Sequence, residues 1–383
     1  MAERQCAGYS RARMPQEPDK LVATILPPHE GFGPASVGAV GTVARLLARA
    51  PGFRSLVIGG PQEGPPFPGI PFQSVRPTLR WPGNVNIRYG AALARPLARA
   101  APALIEVHNR PELALFLARR FPGRPVMLFL HNDPQGMRQA RTAKDRTHLL
   151  HALARVVTVS GYLRHRLLEG VEPPPRPPAV LPNPIDLAAL PPPVLRDRLI
   201  LFAGRVVPEK GPDTFVAACA IAMPRLPNWQ AEMIGADRFR ADGPEPKFAR
   251  LTRAAAERAG VRALGYRDRE SVLQAMTRAA IVVVPSRWQE PFGLVALEAL
   301  ACGAALICAD RGGLREVAAN AAVYVDPDDP PALSAAICAL AEDAARRAGL
   351  GLAGHERARQ FDASAIAARL AALRREVLAA AGG

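Results

Sequence analysis

The chain has 383 residues, 49% of them hydrophobic and 22% charged, which gives room for two domains of ordinary size in the proportions of a globular protein, not a disordered one. No run of eighteen apolar residues occurs and the first twenty residues hold no apolar core, so neither a membrane-spanning helix nor a secretory signal is expected, and the chain reads as cytoplasmic. The formal charge is +15, and it is unevenly spread: residues 1–193 carry 24 Lys and Arg against 12 Asp and Glu, while the remainder carries 25 against 22. A positive first half fits an anionic partner, whether nucleic acid, an acidic substrate or the negative face of a membrane, and it fits equally an arginine-rich composition on a solvated surface, since only four of the basic residues are lysines. Cys6, Cys219, Cys302, Cys308 and Cys338 are odd in number and form no Cys-x-x-Cys pair, so they are expected to fill cores, not to build a disulfide or zinc framework.

After a Pro- and Arg-rich tail over residues 1–19, short apolar runs alternate with helical patterns. Lys20–Leu26, Ser55–Ile58, Ala103–Val107, Val126–Leu130 and Val156–Val159 are continuous, as strands buried on both faces are. Between the first two lies Ser36–Ala50, where Val40, Val43, Leu46 and Leu47 recur at helical spacing. The proline-rich stretches Glu172–Pro178 and Pro191–Pro193 flank AVLPNPIDL, which proline bars from being a central strand–helix unit and which is expected to connect two domains. The alternation then resumes with strands at Leu199–Gly204, Ala231–Gly235, Ile281–Pro285, Ala305–Cys308 and Val323–Val325. Helices are expected at Pro212–Ala222, Ser271–Ala279, Gly293–Cys302 and Pro331–Ala341. A terminal amphipathic helix presents Ile366, Leu370, Leu373 and Val377 on one face that must dock somewhere. The order predicts two doubly wound α/β domains whose ligand crevices, at the carboxyl ends of their strands, face each other across a cleft.

Three segments carry the chemistry. Gly31 and Gly33 sit where the first strand turns into a helix, a place suited to phosphate or sugar contact or to a plain tight turn; GxGxxS is too incomplete for a dinucleotide fingerprint. Arg205 leaves the first strand of the second half and Lys210 follows before the next helix, so the two cations can converge on a diphosphate. In PSRWQEPFGLVALEALACGAALIC, Glu290 precedes a helix starting near Gly293, the amides of Phe292, Gly293 and Leu294 point toward the cleft, and Glu298 lies further along the same helix. Together these supply one carboxylate for hydroxyls, an amide nest for phosphate oxygens and a second carboxylate beyond it. Asp326 and Asp328 have the Asp-x-Asp spacing of a metal site, but they lie in a proline-rich turn, so no metal is expected there.

The strings FAGRVVPEKG, LGYRDRESVLQAM and PSRWQEPFGLVALEALACGAALIC, with VTVSGYLRHRL, VLPNPIDL and RARQFDASAIAARLAAL, resemble the retaining glycosyltransferases of family 4 with the GT-B fold. The resemblance implies an acceptor-binding domain over 20–190, a nucleotide-sugar domain over 194–360 and a helix over 361–383 that packs back on the first domain. It also implies residue roles. Arg205 and Lys210 would hold the donor diphosphate, Glu290 the transferred sugar, Glu298 the ribose, and the backbone of Phe292, Gly293 and Leu294 sugar and phosphate. Gly33 would close on the donor, His131 would lie near the anomeric carbon, and Tyr266 would border the base. Pro184 stands where the family commonly has Asn-Gly and stiffens that turn. The implied reaction is metal-independent transfer of a hexose, with retention, from a UDP- or GDP-sugar to a glycan or lipid-linked acceptor in cell-envelope polysaccharide or lipopolysaccharide synthesis. The first domain would then contact an anionic membrane from the cytoplasmic side. Two other readings change the activity: a nucleotide-sugar epimerase or phosphorylase on the same fold, and a basic nucleic-acid-binding protein. The last rests on charge alone, lacks aromatic platforms at 5% aromatic residues and leaves Glu290 and Glu298 unexplained, so no nucleic acid is expected as a partner.

Overall fold

The computed structural model describes residues 19–34, 38–237 and 245–382. The expected tail, apart from Asp19, and the start of the first expected helix at Ser36 lie outside them.

Seven parallel strands form the first sheet: β1 (Lys20–Ile25), β2 (Phe53–Gly59), β3 (Phe72–Ser74), β4 (Leu104–His108), β5 (Val126–Leu130), β6 (Arg155–Thr158) and β7 (Ala179–Val180). Their spatial order is β3-β2-β1-β4-β5-β6-β7. Six more form the second: β8 (Asp197–Ala203), β9 (Gln230–Ile234), β10 (Val261–Gly265), β11 (Ala279–Val284), β12 (Ala305–Ala309) and β13 (Ala322–Val325), in the order β10-β9-β8-β11-β12-β13. All pairings between these strands are parallel. Each order reverses once, between β1 and β4 and between β8 and β11, and such a reversal opens a crevice at the carboxyl ends of the strands. These are the two doubly wound sheets of a GT-B fold.

The central strands β4, β5, β11 and β12 are buried along their whole length, so β5, β11 and β12 read as unbroken apolar runs without alternation, while β4 carries Glu106 and His108 within its buried run. The proline-rich connection does more than connect: Ala179–Val180 adds an edge strand to the first sheet beside β6. Edge placement tolerates the missing amide donors of the surrounding prolines. The terminal helix Ala363–Gly382 returns to the first lobe. Ile366, Leu370, Leu373 and Val377 pack there with Val22, Val43, Leu47, Phe53 and Leu104, so the apolar face visible in the sequence has found its partner. Arg374 on that helix is fully buried and forks onto Glu106 of β4, with Nε and Nη2 at 2.8 and 2.7 Å from the two carboxylate oxygens.

Candidate active site

In the second lobe, β8 ends at Ala203 and the chain turns through a short 3-10 turn, Pro208–Lys210, into the helix Pro212–Ala222. Gly211 joins them at φ +66, and a Cβ there would collide with the carbonyl of Pro285, so the turn lies flat on the end of β11. That contact aims Lys210 at the loop after β11. Lys210 Nζ lies 2.5 Å from Glu290 Oε1, and Ser286 Oγ donates to the same oxygen at 2.7 Å. Glu290 is buried, so the ion pair and the hydroxyl offset the cost of taking its charge out of water. Arg205 is exposed and forms no ion pair among the described residues, leaving its guanidinium available at the end of β8.

The helix expected near Gly293 runs Leu294–Ala301, with Gly293 as its N-cap at φ +101. A Cβ on Gly293 would come within 2.5 Å of Leu314 Cδ2, so both the conformation and the space require glycine. No side chain caps this helix and none of its first-turn residues is acidic, so its leading amides and positive dipole end are open to an anion. Phe292 contributes backbone only: its ring is buried edge-on against Phe361, with centroids 5.7 Å apart. The glycine pair after β12 clamps the loop, with Gly313 N donating to Glu290 O at 2.6 Å and Gly312 N to Gln289 Oε1 at 2.8 Å. One helical face further on, Glu298 pairs with Arg269 at 2.9 Å, a partner the sequence did not announce. Burial pushes the Glu298 carboxyl above its usual range and Arg269 pulls it back. Tyr266 is exposed just past β10, the edge strand, and makes no hydrogen bond, ion pair or ring contact with the other site residues among those described. Asp326 and Asp328 are engaged by Arg311 at 3.7 Å and Arg287 at 2.7 Å. Among the described residues no three His, Cys, Asp or Glu side chains converge in a way that could hold a metal ion.

In the first lobe, two of the expected site segments make contacts that the sequence did not announce. The helix after the Gly31–Gly33 loop, Ala39–Leu47, is met at its N-terminus by the protein's own carboxylate: Glu30 accepts from Gly41 N at 3.0 Å. Burial lifts the Glu30 carboxyl, and the amides of Gly41 and Gly38 and then Arg110 oppose the shift. Gly31 and Gly33 are both buried. They flank Phe32, whose ring sits between those of Phe67 and Phe72, and a Cβ on Gly33 would strike the carbonyl of Pro65. His131, just past the end of β5, is the second: it is buried, and its Nε2 lies 2.9 Å from His108 Nδ1. Asn109, at φ +58, accepts from the amides of His131 and Asn132 at 2.9 and 3.2 Å. Burial takes His108 down to about 3, helped by the charge of Arg374, and holds His131 well below the ordinary histidine value, so both rings are neutral, each with one N–H, and one of these lies in the hydrogen bond between them.

The two lobes meet beside these residues. Ser160, following β6, donates Oγ to the carbonyl of Pro291 at 2.6 Å. Glu316 accepts from Gly161 N at 2.6 Å and Tyr162 N at 2.5 Å, capping the first-lobe helix Gly161–Leu168 from the second lobe. The Glu290 loop therefore lies directly across from the carboxyl ends of the first sheet. There, a cavity of about 340 Å³ opens between His29, Asn86, Asn109, Arg110, Glu112 and Arg138. The sequence singled out none of its polar residues.

Two family descriptions match consecutive parts of the chain: Glycosyltransferase Family 4 over residues 39–189 and Glycosyl transferases group 1 over residues 191–357. The D-inositol 3-phosphate glycosyltransferase of Thermobispora bispora is 38% identical over 190 residues, 47% of this chain and 44% of that one. The phosphatidyl-myo-inositol mannosyltransferase of Mycolicibacterium smegmatis is 32% identical over 200 residues, half of each chain. The chain thus spans about half the length of these curated relatives. Among solved structures, sucrose-phosphate synthase from Thermosynechococcus elongatus superposes with a TM-score of 0.76 at 23% identity, covering 94% of this chain and all of that one. Anabaena HepE in complex with UDP and glucose superposes with a TM-score of 0.73 at 20% identity, over 92% and 99%. At these identities the superpositions speak for the fold.

Proposed function

The chain belongs to glycosyltransferase family 4, and from that premise we propose that it transfers a hexose from a UDP- or GDP-sugar to a glycan or lipid-linked acceptor of the cell envelope, with retention and without a metal ion. The observation that carries the reading is the Lys210–Glu290 pair at the uncapped start of the helix Leu294–Ala301, facing the first lobe. When the donor's anomeric C–O bond breaks, negative charge grows on the departing diphosphate. Lys210, the guanidinium of Arg205 and the amides of residues 292–294 would supply positive groups for that charge, and such groups can do the work elsewhere done by a divalent ion. Glu290 would hold hydroxyls of the sugar and Glu298 those of the ribose. Because we read none of the described first-lobe carboxylates as a nucleophile, we assign attack to the face the diphosphate leaves: the acceptor oxygen bonds the anomeric carbon and its proton passes to the departing phosphate oxygen. His131, neutral and hydrogen-bonded to His108, would shape the sugar pocket without acting as an acid or base. Relatives named for inositol phosphate and phosphatidylinositol support an acceptor with a phosphate, lipid-linked or free, in the cavity beside Arg110 and Arg138. No helix among the described residues is long and apolar enough to cross a membrane, so we place contact with a bilayer at the surface of the first lobe.

A panel of nucleotide sugars, incubated with the protein in the presence of chelator, tests this. The expected result is slow release of free nucleotide from one donor, which also raises the melting temperature. Consumption of a donor with no net release of nucleotide indicates an epimerase. Activity that depends on inorganic phosphate indicates a phosphorylase, and either result overturns the proposal.

A further inference from the structure

Arg269 is the first residue of the helix Arg269–Arg278, a place where the positive end of the helix dipole disfavours a cation. Asp268 caps that helix, its carboxylate accepting from Ser271 N at 2.8 Å. Leu273 and Met276 of the same helix pack in one buried cluster with Leu297 and Leu300 of the helix Leu294–Ala301, which holds Arg269 against Glu298. The contact is lopsided. Arg269 Nε and Nη2 both converge on Glu298 Oε1, at 3.0 and 2.9 Å, while Oε2 accepts no hydrogen bond among the described residues. Exposure is lopsided too, with the Glu298 side chain 14% exposed and that of Arg269 45%. An ordinary surface pair lies open at both ends and contributes little; here the cation stands in solvent and the carboxylate it compensates does not. Glu298 also lies four residues past Leu294 on one face of their helix, about 6 Å along the axis from the amides assigned to the diphosphate. A ribose spans such an interval between its 5′ phosphate and its ring hydroxyls.

We propose that Arg269 is a positioning residue for the donor's ribose: it occupies Glu298 Oε1, fixes the carboxylate's orientation and compensates its charge, so that Oε2 meets a ribose hydroxyl and the site selects ribonucleotide donors over dideoxyribonucleotide ones. The inference rests on the reading of Glu298 as the ribose carboxylate and adds the group that keeps it fit for that role. A purely structural pair would spread the two arginine donors over both oxygens, as Arg374 does on Glu106. Burial works against the charge of Glu298 and Arg269 works for it, so without the cation the carboxylate becomes a poorer acceptor. Arg269 acts through Glu298 and does not itself touch the nucleotide.

Calorimetric binding of UDP and GDP, and of their 2′,3′-dideoxy forms, to the full chain tests this, alongside the kinetics of donor hydrolysis. The wild type is expected to prefer the ribose form of its nucleotide by about tenfold or more, the worth of a hydrogen bond to a charged group. Arg269→Gln should lose most of that preference while binding the dideoxy form as the wild type does. Its donor KM should rise and its kcat at saturating donor should hold, because the lost contact is made equally before and during bond breaking. Glu298→Ala should abolish the preference, and Arg269→Gln added to it should change nothing further. An Arg269→Gln variant that keeps the full preference overturns the inference and leaves the donor reading intact. A double variant that binds the ribose form more weakly than Glu298→Ala also overturns it, since Arg269 would then contact the nucleotide directly. That comparison strands no buried carboxylate, so it holds even if Arg269→Gln alone fails to fold. A wild type that binds neither nucleoside diphosphate removes the donor reading, and the inference with it.

Discussion

Lys210 and Glu290 neutralise each other across 80 residues of sequence, joined at 2.5 Å by a contact that also places Glu290 against Ser286. Without a ligand the cation is already spoken for, so a donor diphosphate must draw Lys210 away from Glu290 as the sugar hydroxyls take over the carboxylate. Lys210→Ala is therefore expected to lower kcat by about 10²–10³. It should also lower stability, because Glu290 stays buried without its counter-charge. Lys210 is partly exposed, so the loss should fall below the ~3–5 kcal/mol of a fully buried pair. Lys210→Ala/Glu290→Gln separates the two effects: melting temperature recovers and turnover does not. Turnover near wild type in the single variant would remove Lys210 from the mechanism.

Ser160 ties the first lobe to this loop. Because its hydroxyl holds the Pro291 carbonyl, the other side of that peptide, the Phe292 N–H, is directed away from Ser160, and this is one of the amides we assign to the donor. Ser160 also caps its own helix, accepting from Leu163 N at 3.1 Å. Ser160→Ala should cost about 1 kcal/mol through the lost cap and, separately, raise the donor KM. Asn in its place restores the cap but does not reach Pro291 in the same way. If Ser160→Asn recovers the melting temperature and KM together, the interlobe bond has no role in donor binding.

Most of the framework could be read from the sequence because burial on both faces leaves a mark: VMLFL and IVVV have no polar residue to interrupt them. What escaped was short, exposed or irregular. β3 has two exposed residues of three, β10 is interrupted by exposed Arg262, and β7 hides between proline clusters. The helix Val85–Ala100 contains Pro96 and has no acidic residue in its first turn to mark the start. In the site, Glu290, Lys210 and Gly293 were legible because they lie in strings with a local rationale. Ser160, Arg269, His108 and Arg374 were not, since each acts through a partner at least 23 residues away and no spacing rule connects them. At the Gly31–Gly33 loop the sequence likewise did not announce that Glu30 would accept from Gly41 N at the start of the following helix.

The His108–His131 pair makes stability depend on pH in a defined window. Both rings are neutral when folded, His108 down to about 3, whereas in the unfolded chain each takes up a proton near 6.5. Below 6.5 the unfolded state binds protons that the folded state refuses, so stability falls as pH drops toward 3; above 6.5 the pair adds no slope. Each histidine contributes up to ~1.4 kcal/mol per pH unit. Chemical denaturation between pH 7 and 4 should show this slope, and His108→Gln should reduce it by one proton. An unchanged slope would mean that the rings ionise in the folded protein.

Arg374 and Glu106 are separated by 268 residues and both are almost wholly inaccessible, so the terminal helix is pinned to the first sheet by a charge pair instead of by apolar contact alone. Arg374 Nη1 finds no partner, and its guanidinium carbon lies 5.3 Å from the centre of the Phe53 ring, so the pair is well oriented but not fully satisfied. Removing one partner strands a buried charge, while removing both leaves an apolar contact between helix and sheet. Arg374→Met should cost ~3–5 kcal/mol, and Arg374→Met/Glu106→Leu should recover most or all of it. Urea denaturation of the wild type, both single variants and the double variant gives the coupling directly. His108 adds a second readout, because the charge of Arg374 helps keep it neutral, and its ionisation should move upward in Arg374→Met. Additive losses in the double variant would show that the helix docks through its apolar face, with the ion pair a passenger.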